Sequence, residues 1–275
     1  MSGLKGDRRL FMKNIVLSVL LILMPSHTLF AHNNLVSLTT TDYDPYHAED
    51  MREGGVLTEL IRAAFEKAKI KMTVTWFPFS RAIKHAQYSA EYDGIYSIWY
   101  TPERAKWAYF SDPIIPNVLG FYRHKDTELP AYWNMKYLKV SAKTVGVVRS
   151  YLNPKKMIEA GLDTLVSDSD LLNLRVLLAQ RVDLIVIDKM VAESLIEQHF
   201  ESQKESFIWL DPPLEYKMQY LAIAKNAPNA KEKIAAFNRA LKEIRRDGTY
   251  QNIMRKHGFD WLLKGQNNWL NDRSK

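Results

Sequence analysis

Between Asn34 and His257 two hydrophobic periods alternate along the chain, and this alternation restricts the fold more than any other feature. Asn34 to Thr41 reads as a strand ending in the polar run Thr39, Thr40, Thr41 and Asp42. Val56, Leu57, Leu60, Ile61, Ala64 and Phe65 then fall on one helical face, and Met72, Val74 and Trp76 alternate with Thr73 and Thr75 as in a half-buried strand. Ser80 to Gln87 is predicted helical, and Gly94 to Trp99, Leu119 to Arg123 and Thr144 to Val148 are predicted strands. Asn153 and Pro154 are the expected cap and first residue of a helix. Asp170 to Ala179 and Lys189 to His199 have helical spacing on either side of Val182 to Ile187, an apolar run that suits a strand buried on both faces. Tyr220 to Ala224 is a further strand. Asn229 is the expected cap of a long helix with the face Ile234, Phe237, Leu241 and Ile244, stopped at Gly248, and Thr249 to His257 is a last short helix. Strands separated by helices point to α/β architecture.

The rest of the chain narrows the class. Apolar residues make up 47% and charged residues 25% of 275, which suits a soluble globular protein and excludes a disordered tail, a collagen-like fibre or a polytopic membrane protein. There is no cysteine, so disulfides, thiol catalysis and Cys-ligated metals are excluded. The net charge is +7, of which Lys5, Arg8, Arg9 and Lys13 against Asp7 contribute +3, leaving +4 for the remainder. That excess suits solubility and implies no nucleic-acid partner. The basic start, the apolar run Ile15 to Met24 and the small residues Ser26, Thr28 and Ala31 have the layout of a secretory signal peptide, 1–31, cleaved after Ala31. An uncleaved anchor or a buried helix is the alternative, and Met12 is an alternative start. No nucleotide-binding glycine loop, zinc helix or nucleophile elbow occurs. His47, Glu49 and Asp50 match no metal-ligand spacing and read as a solvated loop, so no metal or other cofactor is expected.

The most specific stretch runs Asp93-Gly94-Ile95-Tyr96-Ser97-Ile98-Trp99-Tyr100-Thr101-Pro102-Glu103-Arg104, followed by Phe110-Ser111-Asp112-Pro113. It resembles family 3 of the bacterial extracellular solute-binding proteins, the polar amino-acid class. Tyr43-Asp44-Pro45-Tyr46, Gly55 to Leu60, Arg181 to Asp188, Phe237 to Leu241 and Asp247 to Tyr250 agree in the family's order, over roughly residues 35 to 258. The resemblance implies a type II periplasmic-binding-protein fold, two α/β lobes joined by a two-strand hinge. Lobe 1 would comprise 32–123 and 217–260, lobe 2 would comprise 124–216, and 261–275 would be a tail. Lys125 to Ser141, a mixed segment with Pro130, would lie at the crossing.

The resemblance also implies a site. Arg104 would pair with a ligand carboxylate and Asp188 with its amino group. Read without the resemblance, Arg104 suits a surface ion pair with Glu103, and Asp188 suits a helix cap; a cap and a ligand contact can coexist. Tyr43, Ser97, Trp99 and Thr101 are further expected ligand contacts; of the aromatics Tyr43, Tyr96, Trp99 and Tyr100, two are expected to touch ligand. Phe77, Phe79 and Trp107 are expected to pack, and Arg81 to be solvated. The chain departs from the family at Arg149-Ser150-Tyr151, where Gly-Thr is usual two residues after the strand. Ser150 and Tyr151 remain candidate contacts, with Arg149 and Tyr151 expected to narrow the site. The implied function is a non-catalytic periplasmic receptor for a small polar ligand, an amino acid or related anion. Its partners would be an inner-membrane ABC permease or a sensor domain, and the expected state is a monomer. The alternatives are a periplasmic dehydratase-like enzyme on the same scaffold, for which Glu59 and Asp188 are the acids to watch, or a sensory binding protein without transport.

Overall fold

The computed structural model describes residues 34–130, 133–149 and 151–265. The expected signal peptide, Ser150 and the end of the expected tail lie outside the described residues.

Three parallel strands open the chain, with β1 (Leu35–Thr40) between β2 (Lys71–Trp76) and β3 (Gly94–Ile98). Helix α1 (Gly55–Lys67) links the first two, and all six residues of its predicted face are buried. Helix α2 (Phe79–Tyr88) leads into β3. The chain continues through α3 (Pro102–Trp107), β4 (Ala108–Phe110) and the long β5 (Ile115–His124).

A second parallel group follows. It consists of α4 (Met135–Val140), β6 (Val145–Val148), α5 (Lys155–Ala160), β7 (Thr164–Ser167), α6 (Asp170–Leu178), β8 (Leu184–Asp188) and α7 (Lys189–His199). In it β6 lies between β7 and β8. The chain returns along β9 (Phe207–Ala224) and ends in α8 (Ala230–Arg246) and α9 (Thr249–Lys256). The strand order is β2-β1-β3-β9-β5-β8-β6-β7, with β4 paired to β9. The first parallel group therefore borders β9 through β3, the second borders β5 through β8, and β5 and β9 pair with each other. The last residues of β9 pair antiparallel with β3 and β4, whereas Phe207–Leu210 and Glu215–Gln219 pair with β5.

Several motif residues turn out to be scaffold. Asp93 accepts the Ser37 amide at 2.9 Å and pairs with Lys233 of α8 at 2.6 Å. Beside it, a Cβ on Gly94 would collide with the Ala222 carbonyl oxygen of β9, so only glycine lets these strands approach. The Asp112 amide donates to Asn238 at 2.8 Å, which ties the Ser-Asp-Pro turn to α8.

The differences from expectation are local. The 220–224 strand extends back to Phe207 despite Pro212 and Pro213, because β5 pairs with it on both sides of those prolines. Strand β7 and helices α3 and α4 have no strong periodicity; α4 starts where the Asn134 side chain accepts the Tyr137 amide at 2.9 Å. The helix after β6 begins at Lys155 with Pro154 as its cap, so Asn153 does not cap it. Asn229 occupies the cap position of α8 at φ 54 without a capping side-chain bond.

Candidate functional site

Six strands, three from each parallel group, end at one cavity. Thr41, Asp42 and Tyr43 follow β1, Phe79 follows β2, Ser97 lies near the end of β3 and Trp99 follows it, Tyr151 follows β6, Asp170 follows β7, and Asp188 ends β8. Asn117 and Leu119 of β5 complete the floor. Ligand crevices of open α/β sheets form at the carboxyl ends of strands because loops and helix N-termini converge there. The cavity holds about 180 Å³, below the ~300–1,000 Å³ of drug-sized sites, and so suits a small solute.

One end is cationic. Arg104 sits on α3, whose first turn is capped by Thr101: the Arg104 amide donates to Thr101 Oγ1 at 3.2 Å. Thr101 is not among the residues lining the cavity; its hydroxyl caps the turn that carries Arg104. The guanidinium donates one bond, to the Trp99 carbonyl at 2.8 Å, and lies 5.9 Å from the centre of the Phe79 ring. Among the described residues no carboxylate pairs with it, and burial lowers its pKa. Most of its five N–H donors are thus free for a carboxylate. Phe79, expected to pack, is instead 41% exposed and faces this group.

The adjoining wall is polar and rigid. Ser97 has φ 61 at a break in β3–β9 register, which turns its side chain to bond Gln219 at 2.8 Å. Such bulges commonly re-aim side chains beside sites. The Trp99 indole donates to Asn117 Oδ1 at 2.7 Å.

The other end is acidic. Asp188 is 2% exposed. It accepts the amides of Met190 and Val191 at 2.9 and 3.1 Å, the Val118 amide at 2.8 Å and the Tyr46 hydroxyl at 2.9 Å. It thus caps α7 while lining the cavity. Burial raises its pKa to about 6 against the lowering effect of those bonds. Asp170 was not singled out by the sequence. It begins α6, and its carboxylate accepts the Tyr151 hydroxyl at 3.0 Å. Burial, opposed by the Tyr151 bond and joined by the Asp188 charge, raises Asp170 to about 6 as well. Burial pushes the hydroxyls of Tyr43, Tyr46 and Tyr151 up, so they stay neutral.

Other expectations separate from the site. Arg149 pairs with Asp168 at 2.8 Å on the exposed side and does not narrow the cavity; Tyr151 does. Of the four aromatics Tyr43 and Trp99 line the cavity, Tyr96 is core beside Thr58, and Tyr100 packs edge-on to Phe110. Glu59 lies elsewhere, bonded to Lys256 at 2.7 Å and His257 at 2.6 Å. Burial raises its pKa, but those two partners outweigh burial and leave it lowered. His47 is buried among the rings of Tyr43, Trp76 and Tyr96 while Glu49 and Asp50 are exposed, so the three do not converge.

Solved structures resemble this fold closely. A histidine kinase sensor domain with similarity to periplasmic binding proteins is 20% identical, with TM-score 0.65 over 81% of this chain and 95% of that one. The substrate-binding protein of an amino acid ABC transporter is 20% identical, with TM-score 0.60 over 81% and 98%. An ancestral amino acid-binding protein, a precursor of cyclohexadienyl dehydratase, is 20% identical, with TM-score 0.62 over 81% and 94%. Comparison with curated protein sequences gives no match. Identity this low establishes the periplasmic-binding-protein fold and nothing finer. Residues 35–260 match the bacterial extracellular solute-binding proteins, family 3, and the chain belongs to that family.

Proposed function

We propose that this protein captures a small amino acid, or a close relative bearing both a carboxylate and an amine, outside the cytoplasmic membrane. The observation that carries this reading is the polarity of one small cavity: the Arg104 guanidinium, which has no carboxylate partner among the described residues, at one end and two carboxylates, Asp170 and Asp188, at the other. A zwitterion satisfies both ends, and the apolar walls of Tyr43, Phe79, Trp99 and Leu119 strengthen each contact by excluding water. The two groups of strands act as lobes, and closure bends the paired β5 and β9. The ligand then passes to an ABC permease. Family membership supports export of the mature chain, and among the described residues no helix is long and apolar enough to cross a membrane.

Two other outcomes have specific support. Presentation to a membrane sensor is supported by the sensor-domain neighbour. A dehydratase-like reaction is supported by carboxyls raised to about 6, which can act as acids near neutrality. A thermal-shift screen of the twenty L-amino acids and their 2-oxo acids tests the main reading. A rise in melting temperature with at least one amino acid, and recovery of that compound unchanged, is expected. No shift with any of them rejects it.

A further inference from the structure

We infer that Asp170, held by Tyr151, is the carboxylate that directly receives the ligand's amine, while Asp188 serves as the buried anchor beneath it. The inference rests on the amino-acid reading above and assigns a residue within that site.

The argument is one of free lone pairs. An ionised carboxylate offers about four acceptor positions. Asp188 spends them on three backbone amides and the Tyr46 hydroxyl, contacts that fix the start of α7 and the middle of β5. Asp170 accepts from one side chain, Tyr151, and among the described residues no cation pairs with it. Both acids face the cavity. Asp170 therefore keeps the capacity that Asp188 has used.

A further side chain lies beside Asp188. Asn117 is 1% exposed and lines the cavity, and its Oδ1 is taken by the Trp99 indole. Its Nδ2 lies beside Asp188 and Tyr46 and has a hydrogen-bonding influence on both without completing a well-formed bond to either, so it adds to the polar contacts already made to Asp188.

The departure at Tyr151 acquires a role here. Where Thr is usual after the strand, the bulkier phenol reaches across to Asp170 and orients its carboxylate. This side of the pocket is thereby acidic and suits a cation, leaving the ligand's carboxylate to Arg104. The class of ligand is an amino acid whose amine is essential, and deaminated acids are excluded.

Titration calorimetry at pH 7.5 on the whole protein tests this, using the L-amino acid with the largest thermal shift and its 2-oxo acid as probes. The native protein is expected to bind the amino acid and not the 2-oxo acid. Asp170→Asn should weaken the amino acid by about tenfold to a hundredfold while the melting temperature of the empty protein is kept. Tyr151→Phe should weaken it by a few-fold. Asp188→Asn should lower the melting temperature of the empty protein. Asp168→Asn, on the exposed Arg149 pair, should change neither. Unchanged affinity in Asp170→Asn, or equal native affinity for amino acid and 2-oxo acid, overturns the inference. Failure of every amino acid to bind the native protein instead overturns the functional reading beneath it.

Discussion

At the residue scale, charge and burial decide which side chains are available. Arg104 makes one hydrogen bond and no ion pair among the described residues, so Arg104→Ala should disturb folding little. It should weaken ligand binding by roughly tenfold to several hundredfold, measured by calorimetry, since a charge-assisted bond contributes about 1.5–3 kcal/mol. Asp188 predicts a pH dependence of opposite kind for the empty and loaded protein. Its carboxyl titrates near 3.8 when unfolded and about 6 when folded, so the folded state binds more protons in that window. The group's contribution to stability is therefore fully present below the unfolded value and is lost as pH rises through about 6. Denaturant unfolding of the empty protein should show this decline between pH 4 and 7, and Asp188→Asn should remove that part of it. Binding of an amine needs charged acids, so affinity should instead fall as pH drops below about 6. His47, held down to about 3 by burial, and the raised tyrosines do not titrate in this range.

At the element scale, the predicted apolar faces became the core. Helix α1 buries its whole face against the β1–β3 sheet and α8. Leu60 is fully buried there, and Leu60→Ala should cost about 2–5 kcal/mol in chemical denaturation, through lost transfer energy and a cavity. Gly94→Ala should be at least as harmful, since the added methyl meets the backbone of β9, which cannot rotate away. A soluble Gly94→Ala protein with native stability would contradict this account. The helix starts are less uniform than their sequences suggest. Ser169 and Asp188 cap through their side chains, whereas Asn229 does not.

At the scale of the whole molecule, the strand order places two parallel groups on either side of paired β5 and β9. These two strands connect the groups, which is the arrangement expected of a hinge. Small-angle scattering should show a smaller radius of gyration when the amino acid found by screening is added. An unchanged radius at saturating ligand would mean that binding requires no closure. The cavity's walls come from both groups, with Arg104 and Trp99 from the first and Tyr151, Asp170 and Asp188 from the second. A ligand that bridges them favours the closed population by its differential affinity for it.

Most helices and strands were legible from residue spacing, because period 3.6 and period 2 are properties of the local chain; β4, β7, α3 and α4, which are short and weakly periodic, were not. The family resemblance, not spacing, pointed to Arg104, Trp99 and Asp188, and all three line the cavity. What spacing could not reveal was how many bonds each side chain had left to give. Asp188 is largely consumed by amides of Val118, Met190 and Val191, and Val118 lies seventy positions away. Asp170 looks like an ordinary first-turn acid of α6 until the chain brings Tyr151 and Asp188 beside it. The same holds for Ser97, whose left-handed conformation follows from β9 pairing, and for the long β9 itself, sustained through two prolines by its partner β5. Local sequence determines which elements form and which face of each is apolar; long-range hydrogen bonding decides which polar groups remain free, and here those groups make the site.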